Sequence, residues 1–118
     1  MDDEEIVRDI GSILVQYLGF DVALAKDGYE ALALYKEGHG IDRPIDLVIM
    51  DLTIPDGMGG KDAVREILAF DENAKVIVSS GYSNDPVMEN YQQYGFKGKI
   101  VKPFNLDELG EGIHALLA

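Results

Sequence analysis

Hydrophobic positions change period repeatedly along the chain, and the changes divide it into alternating helices and strands. Ile6, Val7, Ile10, Ile13, Leu14, Tyr17 and Leu18 recur at helical spacing behind Asp3, a suitable N-cap, and the run stops at Gly19. Residues 20–25 alternate well enough for a strand. Asp27 with Glu30 then makes a capping-box-like start to a helix running through Tyr35 and closing at Gly38. The run at 47–50 is apolar on both faces and too short for a helix, as a central parallel strand requires, and Asp51 ends it. After the turn-rich stretch Thr53-Ile54-Pro55-Asp56-Gly57-Met58-Gly59-Gly60, a stripe of Ala63, Val64, Ile67, Leu68 and Phe70 predicts another helix.

Residues 76–78 repeat the buried-strand pattern and end at Ser79-Ser80-Gly81. Asp85-Pro86 supplies an N-cap and a first-turn proline for a helix carrying Val87, Met88, Tyr91 and Tyr94, which stops at Gly95. Residues 100–101 form a last strand before Lys102-Pro103. Asn105 with Glu108 caps a final helix bearing Leu106, Leu109, Ile113, Leu116 and Leu117, which Gly110 and Gly112 weaken by about 1 kcal/mol each. Strand and helix in strict alternation imply an α/β fold, a parallel sheet covered on both faces. No repeat, linker or low-complexity tract interrupts it, so residues 1–118 are expected to form a single domain.

Charge narrows the partners. Ten Lys+Arg against 22 Asp+Glu leave a formal net charge of −12, a field that repels phosphate backbones and anionic lipid heads. Direct nucleic-acid binding and membrane association are therefore not expected. Without cysteine there is no disulfide framework, thiolate metal site or thiol nucleophile, and the cytoplasm suits such a chain. Nothing reads as a signal peptide or a transmembrane helix.

In open parallel α/β sheets, ligands bind beyond the carboxyl ends of the strands. Asp51, Ser80 and Lys102 each follow a predicted strand, and Asp2 and Asp3 stand immediately before the first helix. Taken singly, each has an ordinary role: a strand-end aspartate or serine as a turn residue, an acidic pair as a helix cap, a lysine as a solvated side chain. Their placement at one edge of one sheet is what asks for chemistry. Carboxylates gathered there must hold protons or take up a cation, and an all-oxygen set without His or Cys selects a hard ion such as Mg²⁺. Lys102 adds a compact positive charge able to pair with Asp51 and, later, with a phosphoryl oxygen. Phosphoryl transfer needs these parts: a carboxylate nucleophile, and a metal with an ammonium to neutralise the transferred group. His39 and His114 lie outside this crevice, and Gly57, Gly59 and Gly60 lack the Lys-Ser/Thr of a Walker loop.

The acidic pair in Met1-Asp2-Asp3-Glu4-Glu5, Asp51 followed by Pro55, Ser80-Gly81 and Lys102-Pro103-Phe104 resemble the receiver domains of response regulators, with matching spacing across nearly the whole chain. The resemblance implies a flavodoxin-like, doubly wound sheet and a two-component signalling role. Asp51 would be the phosphoacceptor; Asp3, Asp51 and the Thr53 carbonyl would bind Mg²⁺, with Asp2 assisting through water. Ser80 and Lys102 would contact the phosphoryl group, and Lys102-Pro103 would form a cis peptide bond. A histidine kinase or histidine phosphotransfer domain would be the donor, a downstream protein the target of the switch, and a second copy of the chain a further candidate partner. The module would not be an enzyme with its own substrate. Two rivals stand beside it: a receiver-like interaction module that is never phosphorylated, and a Mg²⁺-dependent aspartyl-phosphate phosphatase, for which Thr53 occupies the place of the second acid.

The turn from Pro55 to Gly60 is one residue longer than the family's usual form and resembles receivers of hybrid sensor kinases. Lys99 stands where the family usually places its switching Tyr or Phe, and Tyr82, two residues beyond Ser80, is expected to shield a phosphoryl group from water. The family's first strand would lie ahead of Asp2, between residues 20–25 and 47–50, where only Met1 is present. A fragment of a longer protein and strand exchange with a second chain both account for this, the fragment being preferred because no spare apolar strand is visible elsewhere.

Overall fold

The computed structural model describes all residues except Arg43, Asp56 and Ala118, so the Asp56 position of the Pro55–Gly60 turn lies outside the described residues. Helix α1 spans Glu5–Tyr17, α2 Gly28–Gly40, α3 Gly60–Phe70, α4 Pro86–Glu89 and α5 Leu106–Leu117. Strands β1 (Val48–Asp51), β2 (Val76–Ser80) and β3 (Gly98–Val101) form one parallel sheet in the order β1-β2-β3. The register pairs Val48 with Val76 and Ser79 with Ile100, so all three strands end at the same edge.

Alternation along the strands divides the core in two. Met50, Val76 and Val78 point to one face, where Ala31 and Tyr35 of α2, Ala63, Val64 and Ile67 of α3, and Met88 close over them with Phe96. On the other face Ile77 and Ile100 meet Leu109 and Ile113 of α5, with Leu14, Val15 and Leu18 of the α1 segment packed alongside. Helices thus cover both faces of a parallel sheet, the expected doubly wound architecture.

Four sequence expectations need correction. Residues 20–25 form no strand: a strand exists by virtue of a ladder partner, and the described residues offer this segment only one backbone bond in that direction, from the Asp2 N–H to the Ala25 carbonyl (3.0 Å). Asp3 does not cap α1. The N-cap is Glu4, without a side-chain cap bond, while Asp2 Oδ1 accepts from the Glu4 N–H at 3.0 Å. Helix α2 runs on past Gly38 to Gly40, an interior glycine costing about 1 kcal/mol without ending a helix. The predicted helix over 86–94 breaks at Asn90, whose side-chain amide and backbone N–H both donate to the Pro86 carbonyl at 3.0 Å; a 3₁₀ turn over Tyr91–Tyr94 completes the segment.

Other local readings hold. Asp27 accepts from the Glu30 N–H (2.9 Å), Asp85 from the Val87 N–H (2.9 Å) and Asn105 from the Glu108 N–H (2.8 Å). Gly95 adopts φ 101°, a left-handed stop that suits glycine.

Candidate functional site

Each strand delivers one polar residue to the common carboxyl edge. Asp51 closes β1, Ser80 closes β2 and Lys102 follows β3, with the Lys102 N–H donating to the Ser80 carbonyl at 2.8 Å. Asp2 joins them because Met1 and Asp2 lie beside β1: the Met1 amino group donates to the Ile49 carbonyl (2.7 Å) and the Asp51 N–H donates to the Met1 carbonyl (2.9 Å). Asp2, Asp51 and Ser80 are all buried.

Lys102 Nζ is the hub of the cleft. It donates to Asp2 Oδ2 at 2.5 Å and lies 3.1 Å from Asp51 Oδ2. Burial would lower the pKa of this ammonium, but the hydrogen bond it donates to Asp2 and the charge of Asp51 outweigh it and hold the group above its ordinary value. Burial pushes the Asp51 carboxyl up, the Lys102 charge pulls it down, and Asp2 and Asp3 push it up again, leaving it above the usual carboxylate range. A carboxylate held this way gains most from any cation that enters the cleft.

The chain brings together Asp2, Asp51, Ser80 and Lys102 as the sequence leads one to expect. It places Asp3 at the exposed rim, and Asp2, Asp3 and Glu4 each bring a carboxylate oxygen within 4.8 Å of the other two. Glu4 was not foreseen in this acidic group. Thr53, in the loop two residues beyond Asp51, is exposed. An all-oxygen donor set at the mouth of a shallow cleft fits a hard divalent ion that keeps some of its waters. The Lys102–Pro103 peptide is cis, as expected.

Ser80 Oγ accepts from the Tyr82 N–H at 3.1 Å, so the loop backbone already orients this hydroxyl. The Tyr82 ring itself is 75% exposed, which does not fit the shield expected of it: it stands in solvent instead of closing over Asp51. Lys99, on β3 at the position where the resemblance leads one to expect an aromatic residue, lies over the Tyr91 ring, 5.5 Å from its centroid. His39 and His114 sit away from the cleft, against Phe70 and Phe20 respectively.

Two contributors had no clear sequence signal. Arg8 Nη1 donates to the Asp2 carbonyl at 2.8 Å, tying the first turn of α1 to the acidic segment. Gly60, at the start of α3, donates its N–H to the Leu52 carbonyl, and a Cβ built there would lie 2.8 Å from the Asp51 carbonyl oxygen. That contact is with backbone and cannot yield cheaply. Gly60→Ala is therefore expected to cost about 1–3 kcal/mol by overpacking, read as a lower thermal midpoint.

With this geometry in view, the family model of the response regulator receiver domain matches residues 1–114. The chain belongs to that family. A chemotaxis protein CheY from Thermotoga maritima is 36% identical over 115 residues, covering 97% of this chain and 91% of its own. The sensor kinase CckA of Brucella abortus is 32% identical over 117 residues, and the match spans 99% of this chain but 12% of that kinase. Among solved structures, a chain of the CheX–CheY–BeF₃–Mg²⁺ complex from Borrelia burgdorferi superposes with a TM-score of 0.88 at 28% identity, covering 99% of this chain and 85% of its own. The receiver is thus of the CheY-like type used in two-component signalling, and its likeness to part of a kinase fits the hybrid-kinase resemblance of the Pro55–Gly60 turn. No helix among the described residues is long and apolar enough to cross a membrane.

Proposed function

We propose that residues 1–118 form one receiver domain that accepts a phosphoryl group on Asp51 from a phosphohistidine of a histidine kinase or phosphotransfer protein. The observation that carries this is the Lys102 ammonium bridging Asp2 and Asp51 at the carboxyl edge of a parallel sheet. A carboxylate oxygen of Asp51 attacks phosphorus as the bond from phosphorus to the imidazole nitrogen breaks, and the electron pair of that bond leaves with the donor's imidazole. Lys102 moves its charge from the Asp51 carboxylate to a phosphoryl oxygen, and Ser80 turns its hydroxyl toward another.

Asp2, Asp3, Asp51 and the Thr53 carbonyl are the assigned Mg²⁺ ligands, with Asp2 acting through water and Glu4 close enough to contribute. Bound there, Mg²⁺ would neutralise charge on the phosphoryl oxygens. Loss of the Lys102–Asp51 pair then shifts the β3 edge and changes the surface offered to a downstream protein in the cytoplasm. Such a module has no separate substrate that it turns over and is not an enzyme in that sense.

The test is intact mass after incubation with acetyl phosphate and Mg²⁺. A gain of one phosphoryl group that maps to Asp51 is expected. No adduct under any Mg²⁺ concentration would favour a receiver-like interaction module, and steady hydrolysis of phosphomonoesters would favour a phosphatase. Asp3→Ala is expected to weaken Mg²⁺ binding about tenfold by removing one hard-oxygen ligand, measured by titration calorimetry.

A further inference from the structure

Arg8 reaches the acidic segment at two points. Its Nη1 donates to the Asp2 carbonyl at 2.8 Å, and its backbone N–H donates to the Glu4 carbonyl at 3.0 Å. The two acceptors stand on either side of Asp3, the residue at the exposed rim of the cleft. A side chain's direction is set by the two peptide planes that flank its Cα. The plane between Asp3 and Glu4 is held through the Glu4 N–H, which donates to Asp2 Oδ1 at 3.0 Å. The plane between Asp2 and Asp3 carries the Asp2 carbonyl, and Arg8 holds that one. With both planes fixed, the Asp3 carboxylate is presented beside those of Asp2 and Glu4, with ligand oxygens within 4.8 Å of one another.

Charge pairing is a different role, and the contacts do not fit it. Arg8 is half-buried and forms no ion pair among the described residues, whereas Lys102 engages both Asp2 and Asp51. The guanidinium satisfies a carbonyl and leaves the carboxylate oxygens of the rim to an incoming cation. As a bare charge it would oppose that cation. Its removal therefore has two effects of opposite sign on Mg²⁺ affinity: loss of orientation weakens binding and loss of charge tightens it. The sign observed separates the two roles.

We propose that Arg8 is a positioning residue of the metal site: by holding the Asp2 carbonyl it presents the Asp3 carboxylate to Mg²⁺, a role that rests on the Mg²⁺ assignment proposed for Asp2 and Asp3. Arg8 acts through Asp3 and touches neither the ion nor the phosphoryl group. A single donor is enough for this task, so the role belongs to the hydrogen bond and not to the forked shape of the guanidinium.

The test is a double-mutant cycle on the full chain, read by Mg²⁺ titration calorimetry and by hydrogen exchange of the Glu4 amide in the metal-free chain. Arg8→Met keeps the aliphatic stem and is expected to weaken Mg²⁺ binding about tenfold, the usual loss for a residue that orients a metal ligand. The Glu4 amide should exchange faster in that variant, while the thermal midpoint stays within a few degrees of the parent. Arg8→Lys keeps a donor and the charge and should recover most of the affinity. In an Asp3→Ala background, Arg8→Met should weaken binding no further, because the two residues act as one unit. Parent-like or tighter Mg²⁺ binding by Arg8→Met, with Asp3→Ala weakened, overturns the positioning role and leaves the metal assignment standing. Losses that add in the double variant, or an unchanged Glu4 amide, overturn it as well. Parent-like binding by Asp3→Ala, or no Mg²⁺ binding by the parent, removes the metal assignment itself and this role with it.

Discussion

Asp51→Asn is expected to take up no phosphoryl group from acetyl phosphate and Mg²⁺, a loss of at least about a thousandfold in adduct formation, because an amide is no nucleophile at phosphorus. The substitution is nearly isosteric, and it removes one of the two carboxylates that Lys102 holds while leaving the 2.5 Å bond to Asp2 in place. The fold should therefore survive, and the thermal midpoint should stay within a few degrees of the parent or rise, since a carboxyl that burial pushes up no longer has to be ionised in the cleft. Intact mass and calorimetry on the same sample separate the two effects. An adduct that persists in Asp51→Asn would move the acceptor elsewhere. A collapsed midpoint with no adduct would assign Asp51 a structural role that the Lys102–Asp2 bond fails to cover.

Much of this site was legible because strand termini announce themselves. A short apolar run that must stop at a carboxylate, a serine or a lysine places those groups at one sheet edge whatever the helices do, and Asp51, Ser80 and Lys102 are found there. What stayed hidden depends on partners distant in the chain. Arg8 reads as one more solvated residue of α1 until the Asp2 carbonyl is seen beside it. The Asp3 cap looked right by composition, but Asp2 takes the Glu4 N–H, and Asp3 is left at the rim. Residues 20–25 have a strand's alternation, yet alternation describes side chains, and a strand is made by backbone pairing, which among the described residues reaches this segment from that side only through the Asp2 N–H to the Ala25 carbonyl. Tyr82 shows the same limit: its place in the sequence is beside Ser80, but its ring points to water.

Lys102→Ala tests the electrostatic hub itself. The substitution leaves the buried carboxylates of Asp2 and Asp51 facing each other without their shared cation, and Coulomb repulsion adds to the cost of keeping both ionised. A destabilisation of about 3 kcal/mol at neutral pH is expected, at the low end for a broken buried pair because the cleft admits water. The sign of its pH dependence follows from the directions of the shifts. Asp51 already has a folded-state pKa above its unfolded value, and loss of Lys102 raises it further. Between the ordinary carboxylate value and that raised value the folded state binds more protons, so stability falls as pH rises through this window and is regained as pH falls below it. Lys102 in the parent has the complementary behaviour: its pKa is raised, so its contribution is full below the ordinary lysine value and is lost as pH climbs through the folded one. The gap in thermal midpoint between parent and Lys102→Ala should therefore be widest near neutrality and narrow as pH falls through the raised Asp51 value, where the carboxyl of the variant takes up a proton. Mg²⁺ should narrow it too, by replacing the missing cation, and should bind the variant more tightly than the parent. Lys102→Arg keeps the charge and should restore most of the midpoint while leaving phosphorylation impaired, since a planar guanidinium cannot reproduce the point charge between two carboxylates. A gap that does not change with pH or Mg²⁺ would mean that Lys102 stabilises the chain through its aliphatic stem, and the cleft would then lack the charge balance on which the phosphoacceptor reading rests.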